Sequence, residues 1–170
     1  MAVVLGLDGD CDVAAITYRL GECPDDLLAA FATDLAGQGV DVVGVAQRRP
    51  GPDLVRLPDG ARIDRVPAGL AEAQAWLTLA VDRDPDLLII NRFGSSECAG
   101  GGLVSVIAAA VRRDVPVLLA VPEALFGDWL VASGGLSVRI GCRRAGLDGW
   151  WRSLARRGGA IREGFCARFK

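Results

Sequence analysis

Histidine is absent from this chain of 170 residues, and lysine occurs once, as the final residue, Lys170. The commonest zinc and iron ligand is therefore missing, and so is the commonest general base. Any chemistry has to run on carboxylates, arginines, hydroxyls or backbone amides. The five cysteines, Cys11, Cys23, Cys98, Cys142 and Cys166, are scattered, odd in number and form no Cys-x-x-Cys pair. They are expected to be small buried hydrophobes rather than a disulfide framework or a metal site. No apolar run approaches the roughly 20 residues that cross a bilayer. The start lacks a basic segment, and Asp8, Asp10 and Asp12 follow at once, so no secretory signal is expected and the cytoplasm is the expected compartment. Internal repeats and low-complexity linkers are also missing.

What is present belongs to an ordinary globular domain, 51% apolar and 24% charged. A chain of this length is expected to form one α/β domain over residues 1–170 with a core large enough to need no staples. Charge is uneven. Residues 1–136 carry 19 acids against 10 arginines, whereas residues 137–170 carry 8 arginines and Lys170 against Asp148 and Glu163. The basic end, including a tail over about 158–170, either meets an acidic partner or a phosphate-rich ligand, or neutralises the acidic body and is otherwise solvated. No aromatic interleaving points to nucleic acid.

Apolar runs at residues 12–18, 40–46, 87–90 and 115–121 read as buried strands. Between them, apolar periodicity predicts helices after Asp25 or Asp26, which could cap the first, and over about 68–82, 103–113, 123–132 and 147–157. Gly37 and Gly39 end the first helix, Gly134 and Gly135 form a left-handed cap, and a short strand covers 137–140. Short runs on either side of Asp59-Gly60 predict a small hairpin at a sheet edge. Continuous apolar strands alternating with amphipathic helices imply a mainly parallel sheet covered on both faces, a three-layer sandwich.

Two strand-to-helix turns can carry chemistry. The first, RLGECPDD at residues 19–26, has one glycine, no lysine and three acids that would repel phosphate. A phosphate loop instead needs several glycines and a lysine, so that amides and an ammonium group can wrap the anion. Arg19 is the cation there that could partly substitute. The second turn follows LLII at residues 87–90 and reads NRFGSSECAGGGL, residues 91–103. Arg92 offers a rigid fork of donors, Ser95 and Ser96 offer hydroxyls, and Gly100, Gly101 and Gly102 free the backbone amides at the next helix start to face an oxyanion. The other reading of the same residues is structural: glycines shaping a tight turn, Arg92 paired with Glu97, and serines capping the helix. Elsewhere, Trp150 and Trp151 are either core or a partner surface, and Glu123 and Asp128 either cap a helix or form a carboxylate pair.

The stretches DLLIINRFGSSE (86–97), GGGL (100–103), VPVLLAVP (115–122) and GGL (134–136) resemble a bacterial domain-of-unknown-function family, DUF2478. The similarity runs over about residues 12–152, with residues 48–67 shorter than in relatives. Genes of that family often lie near those for molybdate uptake and molybdenum enzymes, which implies a link to molybdenum metabolism. The family is in turn similar to small phosphate-loop nucleoside triphosphatases, and that resemblance implies a P-loop-NTPase-like fold. In those enzymes the third strand ends in Asp-Glu, a hydrophobic residue, Gly, two further residues and Glu. Here Asn91 stands at the magnesium-holding Asp and Arg92 at the water-activating Glu, while Gly94 and Glu97 match. A guanidinium stays protonated and cannot act as a base near neutral pH.

With lysine, metal carboxylate and base all altered, little is left to lower a phosphoryl-transfer barrier that depends on placing charge. The expectation is a degenerate, nucleotide- or anion-binding accessory protein without efficient hydrolysis, built on Arg19, Asn91, Arg92, Gly94, Ser95, Ser96, Glu97, Gly100, Gly101 and Gly102. Magnesium would enter only with a nucleotide, and a protein partner would belong to molybdate uptake or molybdenum-enzyme maturation. The alternatives are a nucleoside triphosphatase with unusual catalytic groups, Glu97 among them, and a pure interaction module.

Overall fold

The computed structural model describes residues 12–47, 53–63 and 68–157. Seven strands form one sheet: β1 (Val13–Tyr18), β2 (Val42–Gln47), β3 (Leu54–Leu57), β4 (Arg62–Ile63), β5 (Leu87–Ile90), β6 (Val117–Pro122) and β7 (Ser137–Gly141). Their order across the sheet is β4-β3-β2-β5-β6-β1-β7. From β2 to β7 every pairing is parallel. The hairpin β3–β4 is antiparallel and closes the β2 edge, where the Asp59-Gly60 turn signal placed it.

Because both faces are covered, successive residues of one strand serve different cores. Val13 and Ala15 of β1 face a core built with α2 (Ala68–Val81), α4 (Val104–Arg112) and α5 (Phe126–Ala132). Ala14 and Ile16 face a second core built with α1 (Pro24–Gly37) and α6 (Arg144–Arg157). This is why the strands read as unbroken apolar runs and not as alternation. The result is a three-layer, P-loop-NTPase-like α/β sandwich with a small edge hairpin. Gly44 of β2 is where the sheet is tightest. A Cβ there would lie 2.3 Å from the carbonyl oxygen of Ile89 on β5, so only glycine fits.

Several local expectations need correction. Neither Asp25 nor Asp26 caps α1: the capping position is Cys23, with no side-chain bond. Asp25 is buried, and its Oδ1 accepts a 2.8 Å hydrogen bond from the backbone N–H of Gln47, tying the start of α1 to the end of β2. Cys23 is exposed, and Cys98 and Cys142 are half-buried, so the cysteines are not uniformly core residues; Cys11 and Cys166 lie outside the described residues. The 123–132 helix divides into a 3-10 turn (Glu123–Leu125) and α5. A short extra helix, α3 (Ser95–Cys98), follows β5. Helix α6 begins at Arg144, ahead of its first buried apolar residue, Leu147; Arg144 bonds Asp148 one turn on (2.8 Å) and Asp34 of α1 (2.5 Å) and lies over the Phe31 ring.

Trp150 and Trp151 are buried in the α1/α6 core, which settles them as packing. The basic tail over 158–170 lies outside the described residues. No helix among the described residues is long and apolar enough to cross a membrane.

Candidate functional site

All five parallel strands end at the same edge of the sheet, and their carboxyl ends are where open α/β sheets take ligands. Beyond β5 the chain keeps one more bond to β6, from the N–H of Phe93 to the carbonyl of Ala120 (2.7 Å). The alternation of an extended strand then decides which side chain goes where. Phe93 turns inward, fully buried, and meets Trp129 of α5 edge-on with ring centroids 5.0 Å apart. Arg92, one residue earlier, is thrown outward, and Asn91 before it is buried. An inward aromatic contact and an outward guanidinium thus sit on neighbouring residues.

That guanidinium stands in a cavity of about 520 Å³ at the carboxyl ends of β2, β5 and β6. Gln47, Asn91, Arg92, Gly94, Ser95, Ser96 and Glu97 line its polar side, and leucines from β3, α2 and the α4 start its apolar side. The structure therefore brings together six of the ten residues proposed from sequence and adds Gln47. One η-nitrogen of Arg92 donates to the Oε1 of Gln47 at 2.8 Å, so Arg92 is oriented by Gln47 and not by Glu97. The serines are exposed at the first turn of α3 and cap nothing; Gly94 occupies the capping position.

Glu97 plays a different part. It is buried, and its Oε2 accepts from the N–H of Gly94 (2.9 Å) while its Oε1 accepts from the N–H of Leu103 (3.2 Å). The carboxylate braces both ends of the loop. Gly102 leaves it room: φ there is +56° and a Cβ would lie 1.9 Å from Oε1. The amides of Gly100 and Gly101, expected to face a ligand, are turned back into the loop, on the carbonyls of Glu97 (3.0 Å) and Ser96 (2.8 Å). These glycines shape the turn around Glu97 and lie outside the cavity wall.

Arg19 is placed elsewhere as well. It is not among the residues lining the cavity, and its Nε donates to Oε2 of Glu123 at 2.6 Å. Arg139 of β7 donates to the same carboxylate (3.0 Å) and to Oγ1 of Thr17 (3.1 Å), with its guanidinium 4.8 Å over the Phe126 ring. Glu123 thus bridges two arginines, while Asp128 is exposed in the first turn of α5. Arg139 and Arg144 both end on acids of the body, Glu123 and Asp34, so this part of the basic end neutralises the rest of the domain.

The Arg19 hydrogen bond holds the Glu123 carboxyl below its ordinary range, with Arg139 adding to it. Its contribution is present above the ordinary glutamate pKa and fades as pH falls through the lowered one. An NMR titration should find the Glu123 midpoint below that of an ordinary glutamate, and Arg19→Ala should move it back up.

A metal finds a poor donor set at this edge. Asn91 is neutral, both Glu97 oxygens accept backbone N–H bonds, and no group of three His, Cys, Asp or Glu side chains among the described residues could hold an ion.

Residues 53–150 match the family described as a protein of unknown function, DUF2478. The chain belongs to this family. The DUF2478 match takes in every residue lining the cavity except Gln47. The chain is also similar to the molybdenum import ATP-binding protein ModC 2 of Bradyrhizobium diazoefficiens, 35% identical over 172 residues. That alignment covers 89% of this chain and 19% of the relative, so the chain spans less than a fifth of that protein's length.

Proposed function

We propose that this DUF2478 chain is an anion- or nucleotide-binding accessory domain with no efficient hydrolysis, acting beside molybdate uptake or molybdenum enzymes. The observation that carries the reading is Arg92, lining a 520 Å³ cavity at the ligand edge of the sheet and bonded there to Gln47, next to a Phe93 packed on Trp129. A fixed guanidinium beside two hydroxyls suits an oxyanion. Hydrolysis lacks its parts. The only lysine is Lys170, Arg92 stands where a base would be needed, and Glu97 is committed to two amides. Similarity to a molybdenum import ATP-binding protein supports the nucleotide and molybdenum association.

Thermal shift of the full chain with ATP, GTP, phosphate and molybdate tests the proposal. At least one should raise the melting temperature, and Arg92→Ala should abolish the rise. Arg92 is exposed and bonds only at its tip, so Arg92→Ala should itself change stability by no more than about 0.5 kcal/mol. Phosphate release from nucleoside triphosphates with magnesium should stay at background. Turnover that Glu97→Gln abolished, in protein still folded by circular dichroism, would replace this reading with the triphosphatase one.

A further inference from the structure

The walls of the cavity say more about its occupant than the guanidinium does. With Arg92, the cavity is lined by Leu54 of β3, Leu70 of α2, Leu103 before α4, Pro122 at the end of β6 and Leu125 of the 3-10 turn after it. Five apolar side chains from four parts of the fold converge on one space. A bare tetrahedral oxyanion has no use for them. It would lose water on that side and gain no partner, which disfavours charged groups.

The volume argues the same way: about 520 Å³ lies within the roughly 300–1,000 Å³ of sites for organic small molecules. Charge sets a second limit. Among the described residues lining the cavity, Arg92 is the one cation, and the one acid, Glu97, is already taken up by backbone amides. One guanidinium pairs with one anionic group, such as a phosphate monoester; a triphosphate would bring two further phosphate groups. Beside Gln47 and the two exposed serines, the lining includes Asn91, which is buried and whose carboxamide both donates and accepts. That pairing of faces suits the edge of a nitrogen heterocycle.

We infer that the cavity takes a planar heteroaromatic molecule carrying a single anionic group, the ring lying among the leucines and Pro122 and the anion on Arg92. This rests on the binding reading above and narrows it. Asn91 and the leucine wall would then set which molecule is taken, and Arg92 would supply the common anchor.

Calorimetric titration of the full chain tests the inference with three sets of probes: AMP and GMP, the nucleosides adenosine and guanosine, and the free oxyanions phosphate and molybdate. At least one monophosphate should bind about tenfold or more tighter than its nucleoside and than either oxyanion, because a hydrogen bond to a charged group is of that size. Arg92→Ala should reduce the monophosphate to nucleoside strength while leaving the nucleoside unchanged. Leu125→Ala should weaken the monophosphate and leave phosphate alone. ATP should bind no tighter than AMP.

If phosphate or molybdate binds through Arg92 as tightly as any monophosphate, the ring half of the inference is wrong while the anion-binding reading stands. ATP binding tenfold tighter than AMP would overturn the limit to a single anionic group. If no probe binds, the inference and the binding reading fail together.

Discussion

Changing Gly102 to alanine should lower the unfolding free energy by about 3 kcal/mol, a large loss for one methyl group on a loop. Two costs combine. A residue with a Cβ at φ +56° gives up about 1–2 kcal/mol to left-handed backbone strain. The same Cβ would lie 1.9 Å from Oε1 of Glu97, so the carboxylate must swing away and drop its bond from Leu103. Each bond to a charged acceptor is worth about 1.5–3 kcal/mol. Removing the brace itself, by Glu97→Ala, strands the N–H groups of Gly94 and Leu103 and should cost about 3 kcal/mol.

The double variant is the decisive measurement. With no carboxylate left to displace, Gly102→Ala should add only its backbone strain, leaving a coupling of about 1–2 kcal/mol between the sites. Gly101→Ala serves as a control. Its Cβ would meet Ser96 oxygen at 3.3 Å with no positive φ, and it should cost less than about 1 kcal/mol. Urea midpoints at constant slope read all four proteins. Two single effects that add without coupling would mean that Glu97 does not hold the loop.

The same residues show what the sequence could and could not disclose. Four buried parallel strands, the edge hairpin and the Gly134–Gly135 cap were legible because each depends on local apolar content or a local turn preference. The place of the candidate cavity was legible in outline, since a polar glycine-rich stretch after an apolar strand falls at the ligand edge of such a sheet. Its internal geometry was not. Whether a glycine presents its amide outward or makes room for a neighbour depends on where Glu97 points, and that depends on contacts six residues away. Gln47, the terminal glutamine of the second strand, fits the family resemblance but is not assignable to the site from sequence, because its partner, Arg92, is 45 residues further on and adjacent only once β2 and β5 pair. Arg19 and Glu123 are 104 residues apart and meet only across the sheet edge. Asp25 looked like a helix cap by type; the bond it makes is to the end of β2. Composition excluded more firmly than motifs assigned, because a chain with no histidine and a single lysine at its last position carries those limits into any fold.

Replacing Trp129 by alanine should cost about 3–5 kcal/mol, the ordinary range for emptying a core aromatic position, and should also disturb ligand binding. The indole is fully buried, and it is the surface on which Phe93 rests. Phe93 is bonded to β6 through its backbone, so its ring is what Trp129 locates, and the chain on either side of that ring carries Arg92 and Gly94 into the cavity. Loss of stability alone would prove little. Leu35→Ala is the comparison: it empties a buried position of α1 in the opposite core, should cost about 2–5 kcal/mol, and is separated from the cavity by the sheet.

Measured by calorimetric titration well below both melting temperatures, Leu35→Ala should retain the Arg92-dependent binding, and Trp129→Ala should weaken it about tenfold, or 1.4 kcal/mol. Trp129→Phe should recover most of the binding, since it keeps a ring against Phe93 and removes an indole N–H that has no acceptor. Equal binding in the two alanine variants would show that the guanidinium is held by Gln47 alone, and that the aromatic contact serves the core and not the site.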